Sequence, residues 1–198
     1  MKSGHKKMNR LIFLTGPPRT GKTTTLLKVA KKLKSQGHKL GGMISREIRE
    51  NGIRVGFEIQ DYESGEKGWL AHIRQHVGPR ISKYRVNLAQ FNSIGVTAIL
   101  NALQKADIVL IDEIGPMELF SEPFKDAVNQ TINSTKAVLG TIHYSAQDPL
   151  VKQIKSRNDA DIIDIVQQNR YKLHSLIAEK VVTFIKTIDS RTHTSLNK

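Results

Sequence analysis

The residues with the clearest chemistry form a glycine-rich loop near the N-terminus. Gly16–Thr23 reads Gly-Pro-Pro-Arg-Thr-Gly-Lys-Thr, which satisfies the pattern G-x-x-x-x-G-K-[ST]. Backbone N–H groups of such a loop point inward and hold phosphate oxygens, helped by the dipole of the following helix. Gly21 lets the backbone approach a phosphate where a Cβ atom would obstruct it. The loop therefore predicts that the chain binds a nucleotide through its phosphates.

Individual side chains of this loop have distinct predicted roles. Lys22 is expected to reach the β- and γ-phosphates, and the Thr23 hydroxyl is expected to be a ligand of Mg²⁺. Thr24 follows on the first helical turn and is a candidate contact of the α-phosphate. The predicted nucleotide-binding residues here are Gly16, Pro17, Pro18, Arg19, Thr20, Gly21, Lys22, Thr23 and Thr24.

An acidic pair in the second half of the chain follows an apolar run. Ile108–Ile111 is typical of a central parallel strand, and ligands of open α/β sheets bind where such strands end. Asp112 is therefore expected to hold Mg²⁺, through water, and Glu113 to polarise an attacking water. Together with Lys22, these two acids are the predicted catalytic residues. The predicted nucleotide-binding residues of this segment are Val109, Leu110, Ile111, Asp112, Glu113, Ile114, Gly115 and Pro116.

Four further polar residues are candidates with open alternatives. Thr141 and His143 end the next predicted strand and would face the γ-phosphate if that strand neighbours Ile108–Ile111. His143 could equally be an ordinary hydrogen-bonded loop histidine. Arg170 either approaches the nucleotide or is an exposed helical arginine, and Glu118 either supports the site or is a solvated acid.

Strand and helix signals alternate along the chain, which predicts a mainly parallel sheet with helices on both faces. The predicted strands are Leu11–Leu14, Leu40–Ser45, Ile53–Gln60, Lys83–Val86, Ile108–Ile111, Ala137–Ile142 and Ile162–Val166. The predicted helices are Lys22 to about Gln36, Leu88–Gln104, Ser121–Asn133, Lys152–Arg157 and Asn169 to about Ile185. Asn51-Gly52 predicts a hairpin turn, whereas 61–82 shows no clear period and is expected to be rich in loops.

Composition and length limit the class of protein. The 198 residues are 38% hydrophobic and 25% charged, which is ordinary for one soluble domain. We expect a basic extension at 1–10, a single α/β domain at 11–186 and a disordered tail at 187–198. No apolar run approaches the roughly 18–20 residues that span a bilayer, and Leu11–Leu14 is too short for a signal-peptide core. A cytoplasmic monomer is therefore the default expectation.

The absence of cysteine and the excess of positive charge also bear on function. With no cysteine, disulfides and thiolate metal sites are excluded. The formal net charge is +13, of which +7 remains on the body after the two termini are set aside. Such charge is compatible with nucleic acid, with the polyphosphate of a nucleotide or with a merely solvated surface. No motif indicates a nucleic-acid partner, and aromatic residues are only 6%.

Beyond the phosphate loop, several segments resemble the small nucleoside-triphosphatases first named from thermophiles, a family that includes the cancer-related nucleoside-triphosphatase. The most specific is Ile111-Asp112-Glu113-Ile114-Gly115-Pro116-Met117-Glu118-Leu119-Phe120, which looks like the family's second acidic motif. The further similar segments are Arg54-Val55-Gly56-Phe57, Tyr84-Arg85-Val86-Asn87, Gly140-Thr141-Ile142 and Asn169-Arg170. The likeness covers roughly Leu11 to Val182.

The resemblance implies a three-layer, RecA-like P-loop domain. It also implies slow, Mg²⁺-dependent hydrolysis of ATP, GTP and other nucleoside triphosphates to diphosphate and phosphate, with little base selectivity. The chain departs from the family at three places. Arg19 replaces the usual glycine, so it is strained if the position needs a positive φ, although its guanidinium could add a phosphate contact. His143 stands where many relatives have proline. Ser45-Arg46-Glu47 replaces a segment richer in threonine and acids, so no role is assigned to it.

Two other functions use the same loop. A nucleotide or small-molecule kinase would need an acceptor pocket and an arginine-rich lid, which Arg74 and Arg80 could supply. A nucleic-acid-binding protein would use hydrolysis only incidentally. A guanine-specific switch is disfavoured, because no N-K-x-D-type sequence is found and Asn158-Asp159-Ala160-Asp161 does not fit.

Overall fold

The described chain is built on one mixed β-sheet. The structure is a computed structural model that describes residues 9–166, 168 and 170–195. Within them, nine strands lie in the order β5-β6-β4-β3-β2-β7-β8-β1-β9. The strands are β1 Leu11–Thr15, β2 Leu40–Glu50, β3 Ile53–Asp61, β4 Lys67–His72, β5 Arg80–Ile81, β6 Tyr84–Val86, β7 Ile108–Ile114, β8 Ala137–Ile142 and β9 Ala160–Asp164.

Two halves of this sheet differ in strand direction. Neighbours from β2 through β7, β8 and β1 to β9 are parallel, whereas β3, β4, β6 and β5 extend the sheet in antiparallel fashion. Strand β8 lies between β1 and β7. The carboxyl ends of these three strands therefore meet at one sheet edge, where the predicted phosphate loop and acidic pair both begin.

Helices cover both faces, so the predicted three-layer arrangement is confirmed. The helices are α1 Lys22–Ser35, α2 Leu88–Gln90, α3 Thr97–Lys105, α4 Glu122–Asn133, α5 Pro149–Ser156 and α6 Arg170–Ser195, with a π-helical segment at Phe91–Val96 and a 3₁₀ turn at Glu118–Phe120. No helix among the described residues combines the length and the apolar character that crossing a membrane requires.

The two cores follow from the alternation of side chains along each strand. In β1, Leu11 and Phe13 belong to one hydrophobic cluster, and Ile12 and Leu14 belong to the other. The first cluster packs under α3, α4 and α5, and the second packs under α1 and α6. All four side chains are almost completely buried, so β1 holds the phosphate loop on a rigid base.

Most predicted elements are confirmed. Ser121 caps α4 as expected, since its Oγ accepts a hydrogen bond from the Phe124 N–H at 3.1 Å. Asn51 and Gly52 form the turn between antiparallel β2 and β3, although β2 extends to Glu50. Strand β9 begins and ends two residues earlier than predicted, and α5 begins at Pro149 because Asp148 caps it.

The stretch 61–82 is rich in loops as predicted, but it also contains two strands, β4 and β5, that were not predicted. Strand β4 lies inside it and pairs with β3 and β6, burying Leu70 and Ala71. A bulge in the pairing at Phe57/Glu58 interrupts the regular register. A Cβ atom at Gly68 would lie 2.7 Å from Ile94 Cδ1, so a larger residue there would displace the end of the Ile94 side chain. A glycine and a bulge together hide the alternation by which a strand is recognised.

Two helices also differ from expectation. The helix predicted at 88–104 contains the π-helical segment in its middle. The last helix continues to Ser195 instead of ending at about Ile185, so the tail predicted to be disordered from 187 is helical as far as Ser195, and 196–198 lie outside the described residues. Residues 1–8 of the predicted extension lie outside the described chain, but Arg10 is tied to the domain by an ion pair with Asp159 at 3.0 Å.

Candidate active site

The phosphate loop joins β1 to α1 and depends on two left-handed glycines. Gly16 has φ 139°, and a Cβ atom there would lie 2.6 Å from the Ile165 carbonyl oxygen. Gly21 has φ 97° and precedes the first residue of α1. Both conformations are favourable only for glycine. The backbone of the predicted loop is thus bent as the pattern requires.

Lys22 points back over this loop. Its Nζ donates hydrogen bonds to the carbonyl oxygens of Gly16 at 3.0 Å and Pro17 at 3.4 Å. Lys22 and Glu113 line the same cavity. Burial raises the pKa values of Asp112 and Glu113, and the positive charge of Lys22 partly opposes both rises. The phosphate loop and the acidic pair therefore belong to one site.

Asp112 follows the four buried apolar residues of β7 and is itself fully inaccessible to solvent. Its Oδ1 accepts a hydrogen bond of 2.6 Å from the Thr141 hydroxyl, and its Oδ2 has no hydrogen-bond partner of normal length within the described residues. Burial raises the pKa of Asp112 to about 6, although the hydroxyls of Thr141 and Thr23 lower it. Strand β8 neighbours β7 as the expectation for Thr141 required, but Thr141 is fully buried and does not line the cavity, so its approach to the γ-phosphate stays a prediction.

Glu113 is mostly buried and lines a cavity of about 620 Å³ together with Lys22. Its Oε1 is buried without a hydrogen-bond partner among the described residues, and the Asp112–Glu113 peptide bond is cis. Burial raises the pKa of Glu113, while Lys22 opposes that rise. Glu113 therefore brings to this cavity a carboxylate with one oxygen that makes no hydrogen bond among the described residues.

Two of the candidates with open alternatives also line this cavity. Glu118 is 5% exposed, and burial together with the Glu113 charge raises the pKa of Glu118 to about 8. Burial and the charge of Lys22 lower the pKa of the His143 side chain. The backbone N–H of His143 donates a hydrogen bond to the Ile114 carbonyl oxygen at 3.0 Å. Both residues thus face the region beside Lys22. The Arg170 side chain lies outside the described part of the chain.

The cavity gathers most of the predicted residues but not all of them. Those that line it are Pro18, Arg19, Gly21, Lys22, Thr23, Thr24, Glu113, Gly115, Pro116, Glu118 and His143. In contrast, Val109, Leu110 and Ile111 are fully buried in the two cores, where they position Asp112, and Ile114 is buried as well. Gly16, Pro17 and Thr20 shape the loop from outside the cavity lining.

Six cavity residues were not predicted. They are Ser45, Glu47, Arg54, Phe57, Ile81 and Met117. Four of them come from β2 and β3, whose antiparallel pair runs beyond the carboxyl end of β7. The sequence signal for the β2 and β3 residues was the Asn51-Gly52 turn, because a turn there pairs β2 with β3. It does not show which face of the hairpin meets the phosphate loop.

The buried carboxyl of Glu118 leads to a prediction about stability and pH. An acid whose folded pKa is raised to about 8 weakens folding as pH rises from its unfolded value near 4.5, by on the order of a few kcal/mol. We expect Glu118→Gln to remove this decline and to raise the melting temperature above that of the wild type at alkaline pH. Thermal unfolding at several pH values checks this, with exposed Glu122→Gln as the control. If the melting temperatures of wild type and Glu118→Gln changed with pH in parallel, the buried Glu118 carboxyl would not be the cause of the decline.

The backbone at Arg19 leads to a second prediction. Its φ is 66°, so the condition under which strain was expected at this position is met. Arg19→Gly should stabilise the fold by about 0.5–1 kcal/mol, since relief of a left-handed conformation exceeds the added entropy of the unfolded chain. Arg19→Ala keeps the strain and should give no gain. Chemical denaturation measures the free energy of unfolding of each variant. Equal values for Arg19→Gly and Arg19→Ala would show that the backbone at this position is not strained.

The comparison with known sequences agrees with this geometry. A family model described as NTPase matches residues 11–178. The chain is 42% identical over 174 residues to the nucleoside-triphosphatase THEP1 of Thermofilum pendens, which covers 87% of this chain and 96% of the relative. It is 38% identical over 175 residues to the nucleoside-triphosphatase THEP1 of Methanocaldococcus jannaschii, covering 88% and 99%.

Solved structures show the same fold. The crystal structure of THEP1 from Aquifex aeolicus superposes with a TM-score of 0.75 at 31% identity, covering 84% of this chain and 95% of that one. The solution structure of a human cancer-related nucleoside triphosphatase superposes with a TM-score of 0.73 at 35% identity, covering 87% and 97%. The chain therefore belongs to the NTPase family of P-loop hydrolases that contains the THEP1 nucleoside-triphosphatases.

Proposed function

We propose that this protein hydrolyses ATP, GTP and other nucleoside triphosphates to diphosphate and phosphate, with Mg²⁺, slowly and with little base selectivity. The observation that carries the proposal is the shared cavity of Lys22 and Glu113. One side chain is suited to hold the terminal phosphates, and the other is a carboxylate with an unpartnered oxygen. Because one chain supplies both Lys22 and Glu113, we also propose that the protein acts as a monomer. We propose the cytoplasm as the place where it acts.

The residues around Asp112 fit Mg²⁺. Among the described residues, no group of three or more acidic, histidine or cysteine side chains could hold a metal by itself. Mg²⁺ commonly uses one or two carboxylates and completes its shell with water and substrate phosphates. The buried Oδ2 of Asp112 and the neighbouring Thr23 hydroxyl provide oxygen atoms of this kind. When bound, the ion would neutralise charge on the phosphates.

The chemical step follows from the remaining groups. A water molecule that donates a hydrogen bond to Glu113 attacks the γ-phosphorus, and Glu113 takes its proton as the new P–O bond forms. The bond between that phosphorus and the bridging oxygen breaks, and its electron pair stays with the diphosphate. Lys22 leaves the loop carbonyls to hold the β- and γ-phosphates and stabilises the charge that develops there.

Weak base selectivity follows from contacts that address only the phosphates. The predicted contacts all address phosphates, and no guanine-reading sequence is recognised. The segment 158–161 does not match a guanine-reading sequence, and its Asp159 forms ion pairs with Arg10 and Arg157. Binding through the phosphates alone would not depend on the base, because every nucleoside triphosphate carries the same chain of phosphates.

The experiment is phosphate release from ATP, GTP, CTP and UTP by the full chain, with Mg²⁺ and with excess chelator. We expect slow release from all four, lost when the chelator is present. Release from one nucleotide only would overturn the base tolerance. Undiminished release with chelator would overturn the role of Mg²⁺.

Two alternative functions predict other outcomes. The arginines considered for a kinase lid are engaged elsewhere, since Arg74 pairs with Glu50 at 3.0 Å and Arg80 donates to the Ser82 carbonyl oxygen. Neither lines the cavity. A kinase would release diphosphate only with an added acceptor. A nucleic-acid-binding protein would show RNA or DNA affinity that falls steeply with salt.

A further inference from the structure

Arg54 stands out among the cavity residues that were not predicted. Apart from Arg19 in the phosphate loop, it is the only arginine of the described chain that lines the cavity with Lys22 and Glu113. It lies on β3, and the sheet order places β3 and β2 on the side of β7 away from β1. Since Lys22 follows β1 and Glu113 lies near the carboxyl end of β7, Arg54 approaches the acidic pair from the side opposite the phosphate loop.

Its guanidinium is oriented by three side chains. Nε donates to the Tyr84 hydroxyl at 2.8 Å, and Nη1 donates to Glu47 Oε2 at 2.9 Å. The guanidinium carbon also lies 5.1 Å from the centre of the Phe57 ring and 5.4 Å from that of Tyr84. These contacts leave Nη2 without a hydrogen bond among the described residues, so donors remain for a ligand.

The ion pair with Glu47 can be exchanged for a phosphate. The Arg54 side chain is 40% exposed and that of Glu47 is 31% exposed, and ion pairs in such positions are weak. A planar guanidinium donates two parallel hydrogen bonds to a phosphate, which makes a strong charge-assisted contact. The rings of Phe57 and Tyr84 would hold the guanidinium in place when the contact with Glu47 is released.

We propose that Arg54 donates hydrogen bonds to the γ-phosphate of the bound nucleoside triphosphate and stabilises the charge that develops on it. The inference rests on the proposed hydrolysis and assigns a further catalytic residue to it. Arg54 neither gives nor takes a proton in the step, because a guanidinium stays charged throughout the usual pH range. Its part is electrostatic, as in arginines that accelerate phosphoryl transfer in other P-loop proteins.

A neighbouring arginine provides a matched control. Arg49 also pairs with Glu47, through Oε1, and donates to the Gly52 carbonyl oxygen at the hairpin turn. It does not line the cavity. Loss of Arg49 therefore disturbs the same carboxylate and the same hairpin without removing a group from the site.

The test measures kcat and KM for phosphate release by Arg54→Ala, Arg54→Lys and Arg49→Ala. We expect Arg54→Ala to lower kcat by about 10²–10³-fold with little change in KM, as for other lost transition-state donors. Arg54→Lys should recover only part of the rate, since a point charge lacks the planar fork. Arg49→Ala should behave as the wild type.

Two further readouts separate catalysis from structural support. Added guanidinium ion should restore part of the rate of Arg54→Ala, and this variant should fail to trap ADP with aluminium fluoride while the wild type succeeds. A wild-type kcat in Arg54→Ala would overturn the inference, as would equal losses in both alanine variants without rescue. Absence of phosphate release by the wild type itself would instead overturn the proposed function, and the inference with it.

Discussion

Glu113→Gln is expected to lower the rate of phosphate release by about 10²–10⁴-fold, the usual contribution of a general base, while nucleotide binding is retained. The amide keeps the shape of the side chain but cannot take a proton from water. The contacts that hold the phosphates come from the loop and from Lys22, which this change leaves in place. Steady-state phosphate release and equilibrium binding of a fluorescent nucleotide measure the two effects separately.

The matched control is Glu66→Gln, which makes the same chemical change on an exposed side chain. It should bind and hydrolyse as the wild type does. If Glu113→Gln hydrolysed at the rate of the control, Glu113 would have no part in activating water. If it lost binding as strongly as hydrolysis, its role would be to maintain the site and not to act on water.

Lys22→Ala is expected to abolish measurable turnover and to weaken binding of the triphosphate. The lost charge-assisted hydrogen bonds correspond to about 1.5–3 kcal/mol, or roughly 10–10²-fold in affinity. Turnover falls further, because Lys22 also stabilises charge that develops on the phosphates during the reaction. Calorimetric titration with a non-hydrolysable triphosphate, next to phosphate release, measures both losses.

Lys31→Ala removes an equal charge from an exposed position on the same helix. It should leave affinity and rate unchanged, which separates the local role of Lys22 from the general positive charge of the chain. Equal effects of Lys22→Ala and Lys31→Ala would mean that phosphates are attracted by net charge and are not held by the loop.

The parts of the site that were predictable are those determined locally. Gly16–Thr23 forms its loop from its own glycines and from the strand and helix that flank it. Asp112 and Glu113 follow directly from the end of a strand whose apolar run is continuous. Parallel strands bring their carboxyl ends to one edge, so the meeting of Lys22 with these acids follows from the alternation of strands and helices.

The parts that were missed depend on register between strands. Arg54 and Glu47 line the cavity from two strands, β3 and β2, whose pairing has an irregularity between them at Ile48/Arg49. A shift of one residue turns every following side chain to the other face of a strand, and the sequence does not show where such a shift occurs. The side of the hairpin that meets the phosphate loop was therefore open until the fold was known.

Strand β4 was missed for a related reason. Gly68 is small because Ile94 approaches it closely, and Trp69 beside it is partly exposed. Neither residue follows the alternation of buried and exposed side chains, although Leu70 and Ala71 after them are buried. The close packing of Ile94 against Gly68 involves another element of the fold, which a local pattern does not reveal.

The most direct test of the account is a single turnover of ATP in ¹⁸O-labelled water, with the phosphate and the diphosphate analysed by mass spectrometry. The account predicts that one water oxygen enters the released phosphate and none enters ADP, because water near Glu113 attacks the γ-phosphorus. Glu113→Gln should slow the appearance of this label without moving it. Label in ADP, or release of ADP only after an acceptor is added, would contradict hydrolysis at this site.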